Sequence, residues 1–152
     1  NGCGFIALHN ANQILGNRTK FSDLYLGLQQ NPSTKTNFFG WLGMNPKIVS
    51  EFYEQQGATV SHYKDLASVP KTHDAYIALF FHSSGAHYVA AVYDETAHQF
   101  MVYNLFDTGS SPLSDLSAEA YAQRAGKTSG WQVWGIDTTE SSSAHTYRSE
   151  IR

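Results

Sequence analysis

Around Gly57 the hydrophobic pattern of this chain changes period, and that change dictates the order in which its elements are built. Upstream, apolar residues recur every three or four positions; downstream they run together or alternate, as extended strands do. From Gly4 to Leu15 the positions Phe5, Leu8, Ala11, Ile14 and Leu15 mark a helix, with Gly16-Asn17 as its stop. Ser22 caps a shorter helix running to Gln30 and ended by Asn31-Pro32-Ser33, and Asn37 to Met44 is a Gly-rich aromatic loop. A third helix has Asn45 as N-cap, Pro46 at its first position, Ile48, Val49, Phe52 and Tyr53 on one face and Gly57 just past its end.

Beyond Gly57, Ala58–Tyr63 reads as a strand and Ala75–His82 as a strand buried on both faces. His87–Tyr93 and Gln99–Asn104 form a hairpin about the turn Asp94 to His98. A polar Gly/Ser loop then leads to a helix near Ser117–Ala125, ended by Gly126, and Trp131–Ile136 is the last strand. Helices first and strands afterwards predict an α+β domain, its N-terminal helices packed on a mostly antiparallel sheet. No internal repeat or domain boundary interrupts positions 1–152, which read as one domain with a polar tail from about residue 139.

Composition narrows the function. The 152 residues, 41% hydrophobic and 14% aromatic, suffice for a buried core. A net charge of −3, without a basic stripe, argues against nucleic acid as a partner. The longest apolar run, around Tyr76–Phe81, is far short of a bilayer span, so no membrane insertion is expected. A single cysteine makes no internal disulfide. Asn1 in place of an initiator Met reads as a processed or internal boundary, with a propeptide, signal peptide or neighbouring domain upstream; a secreted protein, or part of a larger exported or effector protein, is the matching expectation.

That one cysteine, Cys3, stands in Asn1-Gly2-Cys3-Gly4 at the threshold of the first helix. Unpaired first-turn N–H groups and the helix dipole favour thiolate over thiol there, which suits a nucleophile. A cysteine nucleophile needs a base, and the base needs an orienting group. Of seven histidines, His87 opens a strand after Gly85-Ala86, and Asn104 ends the strand expected to pair with it. The hairpin makes them neighbours, with Asp107 as an alternative orienter. His9 lies too far around the first helix, His82 ends its strand, and His62, His73, His98 and His145 read as surface residues. His82 and His87 lack ligand spacing and have no second Cys or acidic cluster beside them, so neither a metal nor another cofactor is expected.

The segments Asn1-Gly2-Cys3-Gly4 with Ala7 and Asn10, Gly85-Ala86-His87-Tyr88-Val89, and Tyr103-Asn104-Leu105-Phe106-Asp107 resemble those of the papain-like cysteine peptidases, in the papain order of Cys, His, Asn. The third resembles the Trp-Asn-Pro-Trp-Asp pattern of staphopain-type enzymes, and the compact length and Gly-rich loop look like the bacterial double-glycine leader peptidases. The resemblance implies a papain-like fold with Cys3 as nucleophile, His87 as general base and acid, and Asn104 as orienter. The family's oxyanion glutamine lies a few residues upstream of the nucleophile, and Asn1 is the candidate substitute among the residues present.

These readings predict a thiol hydrolase acting on peptide or protein amide bonds, with Gly40, Trp41, Gly43, Gly85 and Ala86 along the substrate groove and Phe38 and Phe39 as further walls. The same triad and thioester would serve a glutamine deamidase or a transglutaminase-like acyltransferase of toxin or effector type. A peptidase fold without catalysis, kept as a binding module, is the third reading.

Overall fold

The computed structural model of the protein describes residues 3–16, 47–64, 66, 69–82, 85–103 and 110–138. Among these it has three helices, α1 (Cys3–Ile14), α2 (Lys47–Gln55) and α3 (Ala118–Ala125). Six strands, β1 (Thr59–Tyr63), β2 (Ala75–His82), β3 (Gly85–Asp94), β4 (Gln99–Tyr103), β5 (Ser110–Leu113) and β6 (Ser129–Asp137), form one sheet in the order β1-β6-β2-β3-β4-β5. Its five pairings are antiparallel, so the α+β expectation holds. The helix expected over 22–30, the aromatic loop at 37–44 and the tail from 139 lie outside the described residues.

The sheet is covered on both faces, and strand alternation sorts the core into two clusters. Ala7, Leu8 and Ala11 of α1 and Val49 and Tyr53 of α2 pack on Ile77, Leu79, Tyr88, Ala90, Trp134 and Ile136. On the other face Tyr121 of α3, with Leu116, packs on Tyr76, Ala78, Phe80, Val89, Val102 and Val133. Each large side chain buried this way contributes about 1.5–3 kcal/mol. The unbroken apolar run of β2 follows directly, because its residues from Ala75 to Phe80 are buried whichever way they point.

The described helix ends at Gly57 and Ser117 fall where the sequence marks them, while Asn45 and Pro46, expected to open α2, lie outside the described residues. Past α2, Gly57 has φ +84°, its N–H donates to the Glu54 carbonyl at 3.0 Å, and the Ala58 N–H donates to the Tyr53 carbonyl at 3.0 Å. This is a Schellman closure, with Ala58 packed on the same core cluster as Tyr53. Ser117 caps α3 by accepting from the Ala120 N–H at 3.1 Å, and Glu119 and Arg124 complement the dipole at its two ends.

One element differs from expectation. The Gly/Ser loop before α3 includes a strand, β5, with Ser111 and Leu113 buried in alternation against β4. Pro112 disguises it in the sequence, yet among the described residues β5 is an edge strand, the place in a sheet where proline is tolerated.

The connection from β1 to β2 is fastened to the sheet by His73, a residue expected at the surface. Its side chain is only 9% exposed, and its Nδ1–H donates to Asp137 Oδ2 at 2.7 Å. That bond leaves Nε2 to accept from the Tyr63 hydroxyl at 2.5 Å. The Tyr76 hydroxyl accepts from the His73 N–H at 3.1 Å and donates to the Pro70 carbonyl. Asp74, buried, accepts from the Thr138 N–H at 3.0 Å, while its own N–H donates to Asp137 Oδ1 at 3.1 Å. The imidazole lies over Gly135, so close that a Cβ there would overlap the ring. Position 135 is glycine because His73 occupies its side-chain space.

Gly135→Ala should therefore destabilise the fold by about 1–3 kcal/mol, read as a lowered denaturant midpoint. In a His73→Ala background the same change should cost less than about 0.5 kcal/mol. Equal costs in the two backgrounds would refute the steric account. Ser117→Ala should cost about 1 kcal/mol through loss of its cap.

Candidate active site

Cys3 is the first residue of α1, one turn before the buried Ala7. The helix packs chiefly on β3, with a smaller contact to β2, so the apolar stripe of Ala7, Leu8 and Ala11 fixes where the backbone of Cys3 begins. The Tyr53 hydroxyl, whose pKa burial pushes up, donates to the Leu8 carbonyl at 3.3 Å and ties α2 to this helix.

His87 is the third residue of β3 and is half-buried. It pairs directly with Phe80 of β2, and the two rings meet at 5.5 Å and 77°. His82 lies diagonally across the same pair, its ring 6.4 Å from that of His87 and 5.9 Å from Phe80. Alternation determines which face these rings occupy. Ala86, Tyr88 and Ala90 belong to the cluster under α1, whereas Phe80, Val89 and Ala91 belong to the cluster under α3. His87, the cross-strand partner of Phe80, is on the α3 face. The imidazole of His87 and the packed stripe of α1 thus lie on opposite faces of the sheet.

The expected hairpin forms as β3 and β4, from Asp94 opposite Gln99 to Ala90 opposite Tyr103. Asn104 follows Tyr103 directly in the chain. Asn104, Asp107, Asn1, Gly40, Trp41 and Gly43 lie outside the described residues, as do Phe38 and Phe39, and nothing is described of the Cys3 side chain. Of the expected groove residues, Gly85 opens β3 opposite His82, and Ala86 is buried in the cluster under α1. His98 is exposed in the β3–β4 turn.

Beneath His87 the sheet is irregular. Leu79 pairs with Gln132 but Phe81 with Ser129, so β6 sets Gly130 and Trp131 against the single residue Phe80. This is a β-bulge, and Gly130 takes the positive φ of +65° that marks the glycine form of such an insertion. Trp131 stacks on Phe80 at 4.4 Å and 16°, its indole N–H donating to Thr128 Oγ1 at 3.1 Å. Tyr121 of α3 closes the cluster, 4.3 Å from Trp131 and 5.2 Å from Phe80. Its phenol pKa is pushed up by complete burial, and its hydroxyl has no hydrogen-bond partner among the described residues. The alternating pattern of β6 conceals the bulge, and only Gly130 beside Trp131 hints at it.

On the α1 and α2 face an open cleft of about 360 Å³ is lined by Lys47, Ser50 and Glu51 of α2 and by His62, Gln132 and Trp134. His62, expected in a turn or at a strand end, is an exposed residue inside β1; it stacks on Trp134 at 4.9 Å and bonds Gln132 Oε1 at 2.8 Å. Among the described residues no three His, Cys, Asp or Glu side chains are grouped to hold a metal, and no helix is long and apolar enough to cross a membrane.

No protein-family model and no curated protein sequence matches the chain.

An unsatisfied buried hydroxyl costs stability, so Tyr121→Phe should leave the fold intact and raise stability by about 1 kcal/mol. A lowered unfolding midpoint in that variant would show that the hydroxyl has a partner.

Proposed function

We propose that the chain is a cysteine peptidase of the papain-like type, cleaving peptide or protein amide bonds through Cys3, His87 and Asn104. The observation that carries the proposal is that one strand, β3, is shared by the two sequence features. The helix that begins at Cys3 is packed on β3, and β3 bears His87 near its start. The pairing of β3 with β4, which leads into Asn104, supports the third member.

In this reading His87 takes the Cys3 proton and the thiolate attacks the scissile carbonyl carbon. Negative charge moves to the carbonyl oxygen, stabilised by first-turn N–H groups of α1. The C–N bond breaks as His87 returns its proton to the leaving amine, giving a thioester on Cys3. Water, deprotonated by His87, attacks that thioester, releasing the acid and restoring the thiol. Asn104 accepts from one imidazole nitrogen, leaving the other toward sulfur. An amine in place of water makes the protein an acyltransferase, and a glutamine side chain in place of the backbone amide makes it a deamidase.

With one cysteine in the chain, alkylation by iodoacetamide reports Cys3 alone. The rate should stay high down to about pH 5–6, because a thiolate paired with imidazolium persists well below the ordinary thiol pKa of about 8.5. Cys3→Ala should fold with an unchanged thermal midpoint and cleave nothing in a mixed peptide library analysed by mass spectrometry. Cleavage retained by Cys3→Ala, or alkylation with an ordinary thiol profile, would overturn the assignment. Ammonia release or incorporation of a primary amine without cleavage would replace peptidase by deamidase or acyltransferase.

A further inference from the structure

We infer that Phe80, braced by the Gly130–Trp131 bulge, is the positioning residue for the His87 imidazole. The catalytic consequence rests on the peptidase reading, while the geometry stands without it.

A catalytic base must present one imidazole nitrogen in one direction, so whatever packs against its ring bears on its function. His87 lies opposite Phe80, and the perpendicular contact at 5.5 Å is an arrangement that aromatic pairs favour, with the electropositive edge of one ring on the face of the other. Phe80 in turn cannot yield. It is fully buried, held flat against Trp131 at 4.4 Å and flanked by Tyr121 at 5.2 Å.

Trp131 owes its place to the bulge. One extra residue in β6 increases the local twist and sets the indole on Phe80, with Thr128 anchoring the indole N–H. Gly130 permits it on two counts. Its φ of +65° disfavours any side chain, and a Cβ would come within 2.7 Å of the Phe81 ring. A regular strand with a leucine at position 80 would bury similar apolar area. The bulge and the stacked rings add orientation, and the half-buried group they orient is His87. Bulges recur beside active sites for this purpose, to re-aim a side chain.

The experiment uses the whole chain, His87→Gln for assignment, and three test variants, Phe80→Leu, Trp131→Leu and the conservative Trp131→Phe, each checked for folding by its unfolding midpoint. The imidazole proton resonances of His87, assigned by their loss in His87→Gln, should lie displaced from random-coil positions by the Phe80 ring. They should move back toward those positions in Phe80→Leu and Trp131→Leu and stay displaced in Trp131→Phe. Cys3 alkylation at pH 6 should fall about tenfold in the two leucine variants and recover in Trp131→Phe. His87 resonances at random-coil positions in the native chain overturn the inference, and so do unchanged resonances and alkylation in either folded leucine variant. If native Cys3 alkylates like an ordinary thiol, the peptidase reading fails alone, and the His87 resonances still decide the positioning.

Discussion

Burial of β2 on both faces is the constraint from which the rest of the arrangement follows. A strand whose residues Ala75 to Phe80 are all buried needs a helix layer on each side and a hydrogen-bonded neighbour on each edge. Its neighbours are β6 and β3, so the last described strand returns to the middle of the sheet and the hairpin strand carrying His87 lies on the other side of β2. α1 and α2 cover one face and α3 the other. Cys3 and His87 are placed by this requirement before any chemistry is considered.

Two glycines mark where backbone and side chains come closest. At Gly135 the absent side chain makes room for His73, which draws the start of β2, the end of β1 and the end of β6 together through Tyr63 and Asp137. At Gly130 it admits the bulge that sets Trp131 against Phe80. These features occupy opposite ends of β2. One fastens the connection entering the strand, and the other shapes the end where His87 lies.

Much of the fold was legible locally. The bounds of β2 and the caps at Gly57, Ser117 and Gly126 are set by apolar period and by residues that stop or start a helix, which act over a few positions. β5 was hidden because Pro112 and its Ser neighbours are turn formers, and only an edge position beside β4 makes them a strand. His73 was hidden for a related reason. Its partners Tyr63 and Asp137 are distant in sequence, and no local pattern announces an imidazole filling the space above a glycine.

The candidate site divides along the same line. By itself the sequence determined the change from helices to strands, the helix start at Cys3, the hairpin that carries His87, and a β2 without a solvent face, since each depends on residues near one another in the chain. Only the tertiary structure decided that His87 occupies the α3 face while α1 covers the other, and that Phe80 and Trp131 stand behind it. Which face a strand residue takes in the assembled core depends on register with remote strands and on which helix covers which side. A single inserted residue in β6, opposite Phe80, changes that register without altering the apolar pattern of either strand.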